Sequence, residues 1–467
     1  MSMIDRMLVH FAAILFALGG VTVAAAADEP SDEDRRAYLI DGQVIDAETG
    51  DPIESFRVVP GTPYRGTGGG AAIAVWQPHM IREMTDGVFR WPRTRGYKEM
   101  RFRVEADGYR PATTLWLGVG GPYMRLKVHL RRDPGIDVVV TKPDGSAAGQ
   151  ATIAIGLPNR GVRLDQYRVE GAGEPPLARL SDQWRRPQAV QTDLLGRCRV
   201  PEETDSVAVL CVSHRDGYLE MPYKEFAQLA QMPPVELQLK PWGRIDGKVY
   251  WKDKPGVGET VGATIHRNDG YPGMVSAYPR AEADAAGEYS FEYIPPGPVQ
   301  VGHRVKLPAG TKLSPTAVVY EYPVFQVDVP SGQSVPVDIG GEGLTVTGQL
   351  QGVQSFDDVT IAIQPPAPDV FNWARFGNAG GGGDLQKGFA ALRDSEYAPL
   401  YFRSSLPVAA DGSFRIEDVM TGQYTLTVSG AATGSASLRV TSFGEDPIEM
   451  GSIPVTSAAA AKGANGG

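Results

Sequence analysis

Two stretches of this chain say nearly the same thing in different residues. Ala410 to Val428 reads ADGSFRIEDVMTGQYTLTV, and Ala285 to Val301 reads AAGEYSFEYIPPGPVQV. In the first, Phe414 and Ile416 alternate, the chain bends through Asp418 to Gly422, and Tyr424, Leu426 and Val428 resume the alternation. In the second, Tyr289 and Phe291 fill the first apolar slots, Ile294 the turn, Gly297 the bend, and Val299 and Val301 the return. A period of two with a polar opposite face is what a half-buried strand requires. Two weaker copies lie upstream. One carries Phe89, Trp91, Met100, Phe102 and Val104 and ends in Asp107-Gly108-Tyr109. The other carries Cys198, Val200, Val209 and Cys211 and ends in Asp216-Gly217-Tyr218, with Cys211 in the slot of Phe102.

Each copy has a matching beginning, at Asp41, Asp137, Gly243 and Leu344, and alternating closing strands such as MRLKVHL and VELQLKP fall between them. A repeat of about 100 residues with several short strands predicts a row of β-sandwiches, each with a core of its own. The predicted boundaries are 38–132, 133–240, 241–341 and 342–455, with the last unit carrying a long insertion and 456–467 forming a disordered tail. High glycine and proline, 56 and 37 residues, suit many turns between short strands.

The first residues have the parts of an export signal. Arg6 lies in a short polar start, an apolar run spans about Met7 to Val23, and Ala25-Ala26-Ala27 precede Asp28. Residues 1–27 are therefore expected to be a signal peptide, which places the mature chain in the periplasm or outside the cell. No other long apolar stretch follows, so no membrane span is expected in the mature chain. Losing residues 1–27 removes one Arg and one Asp, so the net charge stays at −10. An acidic chain without a basic cluster is poorly suited to nucleic acid.

The pattern G-x-V-x-D-x-x-T-G-x-P-I from Gly42 to Ile53 resembles the opening of carboxypeptidase regulatory-like domains, and D-G-x-F, a bend and G-Y resemble their close. The resemblance implies transthyretin-like or immunoglobulin-like sandwiches, related to Cna-B-type and starch-binding-like modules. The expected fold class is thus all-β: a tandem array of about four such domains after a signal peptide. The resemblance is specific for fold and nearly silent about activity.

Catalytic chemistry is not written into the chain. After the leader the histidines are His79, His129, His214, His266 and His303, spread over three repeats in no zinc-ligand spacing. Tyr64-Arg65-Gly66-Thr67 resembles, in letters only, the terminal tail of transthyretin-like hydroxyisourate hydrolases, but it sits inside a loop. The glycine runs lack the G-K-[ST] ending of a phosphate loop. No cofactor and no catalysis are expected. Cys198 and Cys211 are expected either to form a disulfide, as paired cysteines of exported proteins do, or to serve as small buried residues.

One feature points to binding. After the second strand of every repeat an insertion leaves the sheet, and these loops carry Trp76, Trp184, Tyr271, Trp373 and Tyr401. Such loops are where sandwiches place recognition, and aromatic rings could stack on sugars or on a partner protein. The competing expectation is that most of them fold back to cap the core. The predicted function is an exported interaction, adhesion or spacer module with a protein or polysaccharide partner. The alternatives are a carbohydrate-binding array and an unrecognised hydrolase.

Overall fold

The computed structural model describes residues 21–23, 38–65, 72–92, 96–121, 123–175, 177–267, 275–307, 318–365, 390–391, 393–394, 398–440 and 447–458. The repeat read from the sequence reappears as a repeated strand pairing. Tyr38–Asp46 pairs antiparallel with Val88–Pro92 and parallel with Met124–Leu130. Ile136–Thr141 does the same with Arg197–Val200 and Val235–Gln238. Gly243–Lys248 follows with Glu288–Ile294 and Ser334–Pro336, and Leu344–Gln351 with Ser413–Val419 and Ile448–Pro454. The second strand of each repeat pairs with the returning strand in another sheet: Phe56–Tyr64 with Glu99–Glu105, Thr152–Gly156 with Val209–His214, Thr260–Arg267 with Gly297–Leu307, and Val359–Gln364 with Gly422–Gly430. The chain is a tandem of β-sandwiches.

The tight turn before the aromatic slot explains why D-G-x-F recurs. Gly87, Gly196, Gly287 and Gly412 all take positive φ, between 75° and 86°, a conformation that side chains resist. The aromatic that follows then lies over the opening strand. Phe89 is paired with Gly42, Tyr289 with Gly247 and Phe414 with Gly348, and a Cβ added to Gly42 or Gly348 would overlap the partner's ring. The second repeat inverts the sizes, with Val138 opposite Cys198. Small strand residue and large ring have been exchanged for a larger strand residue and a small thiol, so the slot stays filled.

That exchange corrects the cysteine reading. Cys198 and Cys211 are both free thiols. Cys198 packs with Val138 and Val200 into the core, whereas Leu210 and Val212 are the core residues of the returning strand, which turns Cys211 to its opposite face. The expected core positions Val209 and Cys211 are therefore one residue out of register with those of the first repeat. Burial of both thiols pushes their pKa up, that of Cys198 to about 11, so neither is a ready nucleophile.

The chain forms two compact units, Met1–Pro241 with His266–Ala277, and Trp242–Ile265 with Tyr278–Gly467. In the first unit, Leu39, Val44, Phe89, Trp91, Phe102 and Val128 are among the side chains that close one interior. Val59, Ala74 and Trp76 belong to the same repeat but bury against the core of the second. The expectation of interiors sealed one by one fails here: the outer face of the first sandwich is also an inner surface of its junction with the next. Val21–Val23, inside the expected leader, pairs antiparallel with Leu126–Val128, and the rest of that leader lies outside the described residues.

In the second unit three side chains among the described residues tie two repeats: Lys252 pairs with Asp418 at 3.3 Å, Arg439 donates to the Gln326 carbonyl at 3.0 Å, and Thr421 ties them from a buried position. Thr421, 2% exposed, accepts the Gly340 N–H at 2.9 Å and donates to the Gly340 carbonyl at 3.1 Å. His303 is fully buried with Nε2 2.8 Å from Glu259 Oε2.

Thr421→Val removes both bonds while keeping the shape. It should destabilise the second unit by about 1–3 kcal/mol, measured by chemical denaturation, because a buried N–H and C=O lose their partner. Cys198→Phe should destabilise the first unit by about 1–3 kcal/mol through overpacking. The Val138→Gly/Cys198→Phe pair should recover part of that loss, and a strictly additive double mutant would contradict the size exchange.

Candidate functional site

Strand Glu99–Glu105 has two characters. Met100, Phe102 and Val104 fill the first core, and the alternate residues Glu99, Arg101, Arg103 and Glu105 occupy the other face. On an open sheet those charges would face water. Here the second sandwich covers the middle of the face, and Arg103 is 1% exposed.

An arginine taken from water needs nearly all its N–H groups matched. Arg103 is held by a two-pronged contact, Nη1 to Glu203 Oε1 and Nη2 to Glu203 Oε2, each 2.7 Å, while Nε donates to Glu105 Oε1 at 2.6 Å. Arg160, from the second sandwich, donates to Glu105 Oε1 at 3.2 Å and to the Arg186 carbonyl at 3.0 Å. The N–H groups of Thr204 and Asp205 complete Glu203 at 2.7 and 2.8 Å. Two cations and two anions thus form a neutral buried quartet. Burial alone would push Glu105 up, but the charges of Arg103 and then Arg160 outweigh it and hold the carboxyl at about 2. Burial likewise opposes the charge on Arg103, and Glu203 and Glu105 overcome it.

The loop tryptophans belong to this junction. Trp76 lies across Gly61, where a Cβ would press on the ring at 2.9 Å, and its Nε1 donates to Asp205 Oδ2 at 3.0 Å. Its carbonyl accepts from Asn159 Nδ2 at 2.9 Å. Trp184, on the helix Leu180–Arg185, donates Nε1 to Glu105 Oε2 at 3.1 Å, and the Arg160 guanidinium lies 5.0 Å from its ring. The two rings are 1% and 2% exposed. Of the two expectations for Trp76 and Trp184, recognition or capping, their burial favours capping, and each closes the seam between sandwiches. Tyr401 is also fully buried, against the fourth core. Tyr271 and Trp373 lie outside the described residues.

Beside the quartet a cleft of about 520 Å³ opens, lined by Trp76, Arg101, Arg110, Pro111, Ala112, Thr113, His129 and Arg131 of the first sandwich and by Thr204, Asp205 and Ser206 of the second. The sequence reading missed it and the quartet alike. The signal was present in the strict alternation of charge with apolar residues along EMRFRVE, but the partners Arg160 and Glu203 lie far off in the chain. Among the described residues no three His, Cys, Asp or Glu side chains converge as a metal-ligand set.

No family model matches this chain, and no curated protein matches it. Among solved structures it is similar to the Bacillus anthracis TIE protein, at 10% identity and a TM-score of 0.16, over 92% of this chain and 76% of that one. It is similar to the minor pilin of Streptococcus agalactiae, at 10% identity and a TM-score of 0.19, over 46% of this chain and 96% of the pilin. The major pilin subunit of Bacillus cereus follows at 12% identity and 0.17, over 64% of this chain and 97% of the pilin. The sandwich architecture is established by the strand pairing itself.

Arg103→Met should destabilise the first unit by about 3–5 kcal/mol in urea denaturation, since two carboxylates are left buried without their main partner. Glu105 has a folded pKa below its ordinary value of 4.5, so the stability it confers is complete above about pH 4.5 and lost as pH falls through about 2. The wild-type stability curve should decline across that window. Glu105→Gln should flatten the decline, and an unchanged slope in the variant would assign the acid sensitivity to other carboxylates.

Proposed function

We propose that the chain is an exported, non-catalytic multidomain β-sandwich protein that acts as an interaction, adhesion or spacer module. The observation that carries this reading is the use made of the buried ionisable groups in the first unit. Clustered, desolvated Arg and Glu side chains in an enzyme would be poised toward a substrate. Here Arg103, Glu105, Glu203 and Arg160 satisfy one another across a domain junction and hold two sandwiches in register. Such a frame suits a protein whose job is to present surfaces at fixed spacing.

The resemblance of Gly42 to Ile53 to carboxypeptidase regulatory-like domains supports the same reading, as a regulatory-type sandwich. The four repeats are assigned to 38–132, 133–240, 241–341 and 342–455, and residues 1–27 to a cleaved leader, which places the mature chain in the periplasm or outside the cell. Among the described residues no helix is long and apolar enough to cross a membrane. The partner is a protein or a polysaccharide. A carbohydrate-binding array is the second reading, favoured by the polar cleft beside the quartet.

Expression with the native leader in a bacterial host, followed by N-terminal sequencing of the exported product, should give a chain beginning at Asp28. Retention inside the cell with an intact N-terminus would remove the exported part of the proposal. The purified chain should show no turnover on ester, peptide and glycoside panels with or without divalent cations. A glycan array separates the readings, since silence across common polymers leaves only a protein partner or a spacer.

A further inference from the structure

We propose that the cleft between the first two sandwiches is a binding site for a uronic acid residue of an acidic polysaccharide. This rests on the binding role proposed above and gives it a place and a ligand class. Three arginines, Arg101, Arg110 and Arg131, line one cleft on a chain whose net charge is −10. Clustering of that kind runs against the overall charge, and among the described residues only Arg110 of the three has a partner across the junction, Glu202. Arg103, two positions along the same strand, shows what this face does with an arginine needed for the frame: it surrounds the group with carboxylates.

Arg101 is treated differently. Among the described residues it makes no ion pair, its Nε is buried without a hydrogen-bond partner, and its guanidinium lies 5.3 Å from the Trp116 ring. Burial lowers its pKa and the nearby Asp205 charge opposes this. Arg110 is paired with Glu202, yet its Nε is also buried without an acceptor. Arg131 is exposed at the rim. Three arginines gathered in one cleft suit an oxyanion, and a planar carboxylate matches the guanidinium fork.

The rest of the lining chooses among oxyanions. Thr113, Thr204 and Ser206 supply hydroxyls, and Asp205 supplies a carboxylate beside the cations. Asp205 would repel a phosphate dianion, but it accepts hydrogen bonds from sugar hydroxyls. Its two oxygens already receive Trp76 Nε1 and Val207 N, one each, which leaves further acceptor capacity. A ligand with one negative charge and several hydroxyls uses both halves of the cleft. A volume of about 520 Å³ accommodates a unit of that size and extends it toward the open side as a chain.

Calorimetric titration of the full mature chain with trigalacturonate tests the site, with a neutral galactose trisaccharide and inorganic phosphate as the comparison arms. Trigalacturonate should bind, the neutral sugar should not, and phosphate should bind more weakly. Arg101→Met and the rim variant Arg131→Met should each weaken trigalacturonate about tenfold or more, as expected for loss of a charge-assisted contact. Arg199→Met, outside the cleft, should leave binding unchanged. Arg131 is exposed, so its variant reports on the site even if Arg101→Met unfolds. No trigalacturonate binding, equal binding of the neutral sugar, phosphate binding as tight as the uronate, or full affinity in Arg131→Met would each overturn the assignment. If the uronate fails while the chain still captures another polymer or a protein, the cleft assignment falls and the broader binding role stands.

Discussion

Arg103 has no route to solvent, and the first unit is arranged around that fact. A guanidinium on the outer face of a sheet could have reached water by its own length. Instead Glu203 meets it with both oxygens, Glu105 takes its remaining edge, and Arg160 balances the second carboxylate. The partners come from two sandwiches, so meeting the demand of one side chain fixes the placement of both. The tryptophans follow from the same demand. Water must be kept out for these pairs to act at short range, and the rings of Trp76 and Trp184 close the seam while their N–H groups serve Asp205 and Glu105.

The two compact units solve a common problem by different chemistry. Sandwiches in a row need something that sets one against the next. In the first unit it is a charged quartet flanked by aromatic rings. In the second the buried contact is the neutral hydroxyl of Thr421 answering both backbone groups of Gly340, with the exposed Lys252–Asp418 pair beside it. The charged form creates a cleft alongside itself, because guanidinium groups such as Arg101 continue the stripe past the point where the second sandwich covers it.

Local pattern carried the fold well. The alternation around Phe89, Tyr289 and Phe414 and the turn glycines before them are properties of a few neighbouring residues, and the strands formed where they pointed. The second repeat was harder to read, since Cys198 fills an aromatic's place only because Val138 stands where its relatives have glycine, and the two are far apart in the chain. Trp76 and Trp184 were read as loop residues, whereas they lie on strand Ile73–Trp76 and helix Leu180–Arg185, and their role as seals was hidden because their cover comes from the neighbouring sandwich. The quartet was invisible for the same reason: Arg103 and Glu203 are 100 positions apart, and nothing within either segment names the other. Pairings of that kind are fixed by how domains dock, and a reading that treats each repeat as self-contained cannot reach them.

The burial of the quartet has a consequence when the surrounding salt concentration changes. Dissolved ions weaken an attraction by gathering around the charges, and they cannot gather where no solvent enters. With side chains of 1% exposure at its centre, the bond between the first two sandwiches is shielded from brine. The surface pairs elsewhere on the chain, such as Arg199 with Asp137, loosen as salinity rises, while this one keeps its grip.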